Sequence, residues 1–303
     1  MEKELSQDII LYIEKEFKNI PFNCTAFFKN IKMKYRAMDV ALIYNYILEN
    51  KKESSLLSNT IKEIKTNKYR QNFNSLLNFI KFSSDDDLKA LAIKTICIYK
   101  DSSITPILLE CLQDKNSNYR VRFSAADAIG KIGGKNAFEA LSYVVSDEEE
   151  KSSYVKESAV VALGNLGDNR ALDVFSSILS SKQIFLDKFT YLKERVVEAI
   201  SKLDFSKDGR AFEILKKSIL DSSAQVRINT IEALMNIENR ESYDLIYDRL
   251  LNDKEFEVKK NALIALYNMS DRKILDEVLS GDFQISLKAV AQEILDEYED
   301  SDE

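Results

Sequence analysis

Apolar and small residues recur along the chain in a long-range pattern. The segment VRFSAADAIGKIGG, which begins at Val121, has a second copy, VKESAVVALGNLGD, which begins at Val155. Fainter copies precede and follow these two, and we call the first apolar residue of each copy its anchor. Successive anchors are 29 to 37 residues apart, which indicates a tandem repeat of small structural units. The anchors are Leu88, Val121, Val155, Leu192, Val226, Val258 and Leu287.

Within each copy, the residues 4, 7, 8 and 11 positions after the anchor are mostly small or apolar. These offsets lie on one stripe of a helix with 3.6 residues per turn, so they predict a buried helix face. A shorter amphipathic segment precedes each copy, and the two together form a helical hairpin that is stable only when stacked on its neighbours. The pattern predicts an all-α fold, a right-handed α-solenoid of about seven helical hairpins.

The regular pattern defines the predicted domains. Residues 1–70 are predicted to form a divergent helical N-terminal cap, residues 71–298 the repeats, and residues 299–303 an acidic tail. Apolar positions counted from Arg36 fit the repeat offsets, which suggests a degenerate first copy there. The fourth repeat is longer by about three residues at Ser180–Tyr191, and its aromatic rings either fill a gap or form an exposed contact.

Each predicted hairpin also carries a polar turn residue and a basic residue at fixed positions. The turn residue can cap the following helix, and the basic residue can pair with that turn or with the turn of the next repeat. The turn residues, five before each anchor, are Ser83, Asn116, Glu150, Asp187, Asp221, Asp253 and Asp282. The basic residues, one after each anchor, are Lys89, Arg122, Lys156, Lys193, Arg227, Lys259 and Lys288.

The repeat segments resemble the HEAT-repeat family. They are VRFSAADAIGKIGG from Val121, VKESAVVALGNLGD from Val155 and VRINTIEALMNIEN from Val226. The resemblance is to the short repeats of phycobilisome lyase subunits, an ARM-type α-solenoid, and it covers roughly residues 71–298. It implies HEAT-like hairpins and a role as a scaffold in protein–protein interaction. It also implies an alternative, a regulatory or assembly subunit of an enzyme complex with lyase-like cofactor attachment.

Composition agrees with an all-helical chain, because 7 Gly and 2 Pro in 303 residues leave few tight turns. Residues 1–70 contain 13 Lys and Arg against 9 Asp and Glu, whereas the rest of the chain contains 30 against 41. An acidic repeat region argues against nucleic acid as a partner, since phosphate binding depends on Lys and Arg. Nucleic-acid binding through the basic N-terminal region is a second alternative. The sequence shows no signal peptide or membrane span, so we expect a cytoplasmic protein.

The chain contains no histidine. This removes the commonest general base and metal ligand, so we expect no enzyme activity, no cofactor and no metal site. Known HEAT-like iron hydroxylases rely on His-Glu motifs, and HEAT-like DNA glycosylases on a basic, aromatic-lined cleft; this chain lacks both. Cys24, Cys97 and Cys111 have no CxxC spacing and are expected to be reduced and buried.

The remaining candidate is the side of the second helices that faces away from the first helices. Offsets 6 and 10 after the anchor point there, and in a curved stack they would line the concave side. The surface is of mixed polarity, which suits a peptide or protein segment better than a polyanion. We call it the predicted strip, and its residues are Asp127, Lys131, Asn165, Glu198, Lys202, Glu232, Asn236 and Asn268.

Overall fold

The structure, a computed structural model, is helical throughout the residues that it describes. These are residues 5–18, 22–180, 187–203, 209–237, 240–270 and 272–301. They contain 18 α-helices and no strand. The chain forms two compact units, an N-terminal unit, Met1–Val144, and a C-terminal unit, Val145–Glu303.

The N-terminal unit contains two short N-terminal helices followed by helical hairpins. The sequence pattern of residues 1–70 predicts four helices, over about 5–19, 24–33, 36–50 and 55–66, and all four are present within three residues of those limits. The C-terminal limit of this unit, Val144, lies within helix α9. The helices are α1 (Gln7–Phe17), α2 (Cys24–Lys34), α3 (Ala37–Asn50), α4 (Ser54–Asn67), α5 (Phe73–Phe82), α6 (Asp86–Ile96), α7 (Thr105–Gln113), α8 (Tyr119–Ile132) and α9 (Ala137–Ser146).

The C-terminal unit continues the same alternation of a shorter first helix and a longer second helix. Its last helix runs to Ser301, beyond the predicted end of the repeats at residue 298. The helices are α10 (Ser153–Leu166), α11 (Ala171–Ser180), α12 (Asp187–Ile200), α13 (Arg210–Ser218), α14 (Ala224–Met235), α15 (Arg240–Asn252), α16 (Phe256–Ser270), α17 (Lys273–Ser280) and α18 (Ile285–Ser301).

The second helices carry the buried seam that the periodicity predicts. Every anchor is buried, and so is every residue 4 and 8 positions after an anchor. At offset 7 only Ile294, in the last repeat, is partly exposed. The burial predicted at offset 11 was wrong for most repeats: among the described side chains only Leu203 is buried there, because this offset falls at or beyond the last turn of the helix. The second helices pack in rows, α4 on α6 on α8 in the N-terminal unit and α10 on α12 on α14 on α16 in the C-terminal unit. The all-α fold of stacked helical hairpins is therefore confirmed.

The first copy of the repeat begins at Leu56 and not at Arg36. Helix α4 packs against α6 as a second helix, whereas α3 packs against α5 in the row of first helices. Thr60 and Thr230 occupy the same position, four after Leu56 and Val226, and each hydroxyl donates to the carbonyl four residues earlier, at 2.9 and 2.7 Å. The prediction of a copy at Arg36 was wrong, because any amphipathic helix of this length has apolar residues at offsets 4, 7, 8 and 11.

The second helices are capped by the residue three before the anchor, and not by the residue five before it. Asp85, Ser152 and Ser223 each accept the anchor N–H with a side-chain oxygen. The residue five before the anchor supports the turn instead. Asp221 Oδ1 accepts the N–H of Ser223 at 2.9 Å, and Asp253 Oδ1 accepts that of Glu255 at 3.0 Å. Such side-chain bonds compete with helix extension and thus fix the turn.

The basic residue after the anchor links successive repeats of the C-terminal unit. Lys193 Nζ lies 2.8 Å from Asp221 Oδ2 in the next turn. Arg227 donates through Nε and Nη2 to both carboxylate oxygens of Asp253, each at 2.8 Å, in the turn after its own. Its Nη1 donates to the carbonyl of Asp221 at 2.8 Å. The Arg227 and Asp253 side chains are 5% and 2% exposed, so this is a buried, fully bonded pair.

Part of the longer fourth repeat lies outside the described residues. This applies to Phe185 and to the side chain of Phe189, so the two interpretations of the Ser180–Tyr191 segment both stay predictions. Tyr191, at its end, is 59% exposed.

Candidate partner-binding surface

The predicted strip lies on two separate units, which are described in turn. Asp127 and Lys131 are on α8 of the N-terminal unit, one helical turn apart. Lys131 Nζ lies 2.6 Å from Asp127 Oδ2, so the two charges form a local pair on an exposed face. An exposed pair of this kind contributes little to stability, and both side chains are available to a partner.

The other six strip residues are on the C-terminal unit, and the structure brings several of them into contact. Lys202, just after α12, donates to Asn165 Oδ1 of α10 at 3.1 Å. Asn268 of α16 contacts the Met235 sulfur of α14 at 3.7 Å. Asn236 donates to the Glu232 carbonyl one turn earlier at 3.1 Å. Strip residues of two neighbouring second helices therefore lie side by side at Lys202 and Asn165. Five of the six residues are exposed, and Glu198 is half-buried.

A group of charged residues that the sequence interpretation missed lies beside Glu198. Arg195 donates to Glu198 Oε2 at 2.7 Å, and it also interacts electrostatically with Glu157 of α10 and Glu194 of α12. Burial raises the pKa of Glu157, and the Arg195 charge opposes that shift only in part. Burial likewise raises the pKa of Glu194, and Glu198 and Glu157 add to the rise. Three carboxylates around one guanidinium leave an excess of negative charge.

We call Glu157, Glu194, Arg195 and Glu198 the acidic cluster. Its members lie at offsets 2, 3 and 6 after their anchors, on the same exposed side as the strip. On a helical wheel, offsets 2 and 3 lie on either side of offset 6 and outside the buried stripe. The sequence alone could therefore have assigned them to the exposed side. The cluster favours a partner that places a basic side chain near α10 and α12.

Neutral amides form the other part of this surface. Asn165 in α10, Asn236 directly after α14 and Asn268 in α16 share offset 10. An asparagine amide can donate and accept at once, which matches the N–H and C=O of an extended main chain. The apolar contacts are small, with Val161 half-buried and Ile264 36% exposed.

Catalytic and metal-binding groups are scarce in the chain. Among the described residues there is no group of three or more Cys, Asp or Glu side chains that could hold a metal ion, and the chain has no histidine. Burial raises the pKa of Cys97 to about 11, and burial also raises the pKa of Cys111. Both thiols stay protonated near neutral pH, which makes them poor nucleophiles. Cys111 is buried as expected, whereas Cys24 and Cys97 are partly exposed.

A helix that crosses a bilayer needs about 20 consecutive, mostly apolar residues. Within the described ranges, no helix combines sufficient length and hydrophobicity to cross a membrane.

The repeats match a known family over part of the chain. Residues 73–153 match the sequence profile of HEAT repeats. No curated protein sequence matches the chain. The resemblance to HEAT-type repeats that the motifs indicated is confirmed over the matched residues.

Solved structures with similar folds are distant in sequence. Human deoxyhypusine hydroxylase in complex with glycerol is 16% identical, with 86% of this chain and 96% of that chain covered and a TM-score of 0.39. The complex of CpcE and CpcF of phycocyanin lyase from Nostoc sp. PCC7120 is 20% identical, with 75% and 87% covered and a TM-score of 0.46. A computationally designed armadillo repeat protein for modular peptide recognition is 18% identical, with 71% and 100% covered and a TM-score of 0.41. At such identities the similarity concerns the fold alone.

Proposed function

We propose that this protein of HEAT-type helical repeats is a non-catalytic scaffold that binds an extended segment of another protein along the strip of its C-terminal unit. The observation that carries the proposal is the contact between Lys202 and Asn165, which brings strip residues of two successive repeats together on one exposed side. Repeat-solenoid folds are typical of interaction scaffolds, because stacked repeats give an extended surface.

The spacing of the helices fits an extended partner. Packed helices lie about 8–10 Å apart, and an extended chain advances about 3.3 Å per residue. A bound segment therefore passes one second helix about every three residues. Asn165, Asn236 and Asn268 then meet its main chain, and the acidic cluster meets a basic side chain of the segment.

The first test compares partner capture by the wild-type chain and by the triple variant Asn165→Ala, Asn236→Ala, Asn268→Ala. We expect quantitative mass spectrometry after affinity purification to show at least about a tenfold loss of the specific partner, because about 1.4 kcal/mol of binding free energy corresponds to that factor. The lost amide bonds are the reason.

The matched control is Asn30→Ala, because Asn30 is an exposed asparagine on α2 of the N-terminal unit. Circular dichroism of all variants checks that the helices persist. Equal capture by the triple variant and the control would contradict binding at the strip.

The two alternative functions stay predictions. Binding of nucleic acid by the basic N-terminal region is disfavoured, because several of its Lys and Arg side chains already form ion pairs with carboxylates of the same unit. Lys32 lies 2.8 Å from Glu63, Lys51 lies 2.6 Å from Glu14, and Arg70 pairs with Asp101. A role as an assembly subunit would be supported by a covalently modified client in the same purification.

A further inference from the structure

A groove on the N-terminal unit is separate from the strip and has no role in the function proposed above. It is lined by residues of α1, α3 and α5 and of the segments next to them, and its volume is about 1030 Å³. Apolar side chains from all three elements line it. They are Leu5, Ile10, Met38, Leu42, Phe73 and Leu77.

One face of α3 forms the long wall of the groove. Its lining residues run from Met38 to Glu49 at helical spacing, opposite the buried face that contains Val40 and Ile43. Eleven residues of helix extend about 16 Å. An extended segment of about five residues covers that length at about 3.3 Å per residue.

The charged groups of the lining are balanced. Among the described residues that line the groove, one is basic, Arg70, and one is acidic, Glu49, so the formal charges of these residues cancel. Arg70 is already paired with Asp101 and lies 4.3 Å from the centre of the Phe73 ring. Glu49 accepts a hydrogen bond from Ser75 at 2.7 Å. Charge complementarity therefore favours an uncharged partner.

Two asparagines on α5 provide polar groups that the fold does not use. Asn74 and Asn78 are exposed, line the groove one turn apart, and have no hydrogen-bond partner within the described part of the chain. By contrast, Asn45 on the opposite wall is engaged, donating to the Gln71 carbonyl and accepting from Asn72. Free amides beside apolar side chains suit a ligand that offers both main-chain polar groups and apolar side chains.

The spacing of these amides distinguishes an extended occupant from a helical one. Four residues along α5 correspond to a rise of about 6 Å. Equivalent main-chain groups of an extended strand recur every two residues, about 6.6 Å apart. A helical occupant has paired its N–H and C=O groups internally except in its first and last turns, so along its side it offers no main-chain partner to Asn74 and Asn78.

We propose that the groove between α1, α3 and α5 binds an extended, uncharged segment of another protein. The segment places apolar side chains of alternate residues against Met38, Leu42 and Leu77. Its main chain pairs with the amides of Asn74 and Asn78.

Helix α1 closes the third side of the groove through Glu14. Tyr46 donates to Glu14 Oε1 at 2.6 Å, and Lys51 donates to Oε2 at 2.9 Å. The hydrogen bonds from Lys51 and Tyr46 lower the pKa of Glu14, so the carboxylate is ionised at neutral pH. Glu14→Gln keeps the size of the side chain and removes the charge, so it is expected to loosen α1 and weaken binding.

The experiment selects displayed random peptides of about 12 residues on the full-length chain, a length that exceeds the groove. Fluorescence anisotropy then measures the affinity of synthetic copies for the wild type and for variants. We expect enriched peptides with alternating apolar residues, whose affinity falls at least about tenfold in Asn74→Ala, Asn78→Ala and is abolished by Leu42→Lys. N-methylation of two peptide nitrogens two residues apart is expected to have the same effect as the double variant.

The matched control is the double variant Asn30→Ala, Asn116→Ala, which removes two exposed amides of the same unit and leaves the groove intact. Circular dichroism and the midpoint of thermal unfolding show whether each variant is folded. Three results overturn the proposal: no enriched peptide sensitive to the groove variants, enriched peptides with apolar residues spaced three and four apart that ignore Asn74 and Asn78, or groove binding only of the apolar dye 8-anilinonaphthalene-1-sulfonate. The second result indicates a helical partner and the third a small apolar ligand.

Discussion

Replacing Asp253 by alanine is expected to lower the free energy of unfolding of the C-terminal unit by about 3–5 kcal/mol, because it leaves the buried Arg227 guanidinium without its counter-charge. In the native chain Arg227 meets both carboxylate oxygens of Asp253 at 2.8 Å. The loss also frees the N–H of Glu255, which Asp253 accepts at 3.0 Å. Urea titration followed by circular dichroism gives the change.

The control is Asp173→Ala, which removes an aspartate that also pairs with an arginine of another repeat. Arg210 Nη1 lies 3.0 Å from Asp173 Oδ1, but the side chains are 52% and 78% exposed. We expect a loss below about 1 kcal/mol, as for other surface ion pairs. Similar losses in the two variants would show that the Arg227–Asp253 pair does not link the repeats.

The same pair predicts the acid sensitivity of the C-terminal unit. Burial raises the pKa of Asp253, but hydrogen bonds from Arg227 and from the Glu255 N–H outweigh it, and the pKa lies below its ordinary value of 3.8. The stabilisation is therefore complete above about pH 4 and is lost as the pH falls through the lower, folded-state pKa. Unfolding free energies measured from pH 6 downward should decline less steeply in Asp253→Asn than in the wild type.

The helices could be predicted from the sequence because burial of one face imposes a period on the side chains. Anchors such as Val121 and Val226 are fully buried, and the small residues beside them lie where the pattern places them. The polar positions were harder to assign. Residues three and five before the anchor are drawn from the same polar types, so composition does not tell which of Ser223 and Asp221 caps the helix.

The partner surfaces could be predicted only in part. Exposure of Asn165 and Asn268 follows from their place on the helix, because it is a property of one helix. The contact between Lys202 and Asn165, and the electrostatic interaction between Arg195 and Glu157, depend on how two helices of different repeats pack. The groove depends on the position of α1, which a contact between Glu14 and Lys51 fixes across 37 residues. The periodicity contains no information on such a contact.

Alanine at Gly164 is expected to destabilise the C-terminal unit by about 1–2 kcal/mol, although alanine is the better helix former. Gly164 lies inside α10, where a Cβ would stand 2.8 Å from the Ala199 Cβ and 2.9 Å from the Ala199 carbonyl oxygen. Two of the three nearest atoms are backbone, so α12 itself must move. Overpacking costs about 1–3 kcal/mol. The higher helix propensity of alanine offsets about 0.5–1 kcal/mol of this cost.

The matched control, Gly209→Ala, separates these two contributions. Gly209 precedes α13 with φ of −62°, and a Cβ there meets nothing within 4 Å. We expect the free energy of unfolding to change by less than about 0.5 kcal/mol, because a surface substitution away from packing contacts has little effect. A more stable Gly164→Ala would mean that α10 and α12 can separate without loss. In that case the spacing of the second helices, on which an extended partner at the strip depends, would not be set by the close approach of Gly164 to Ala199.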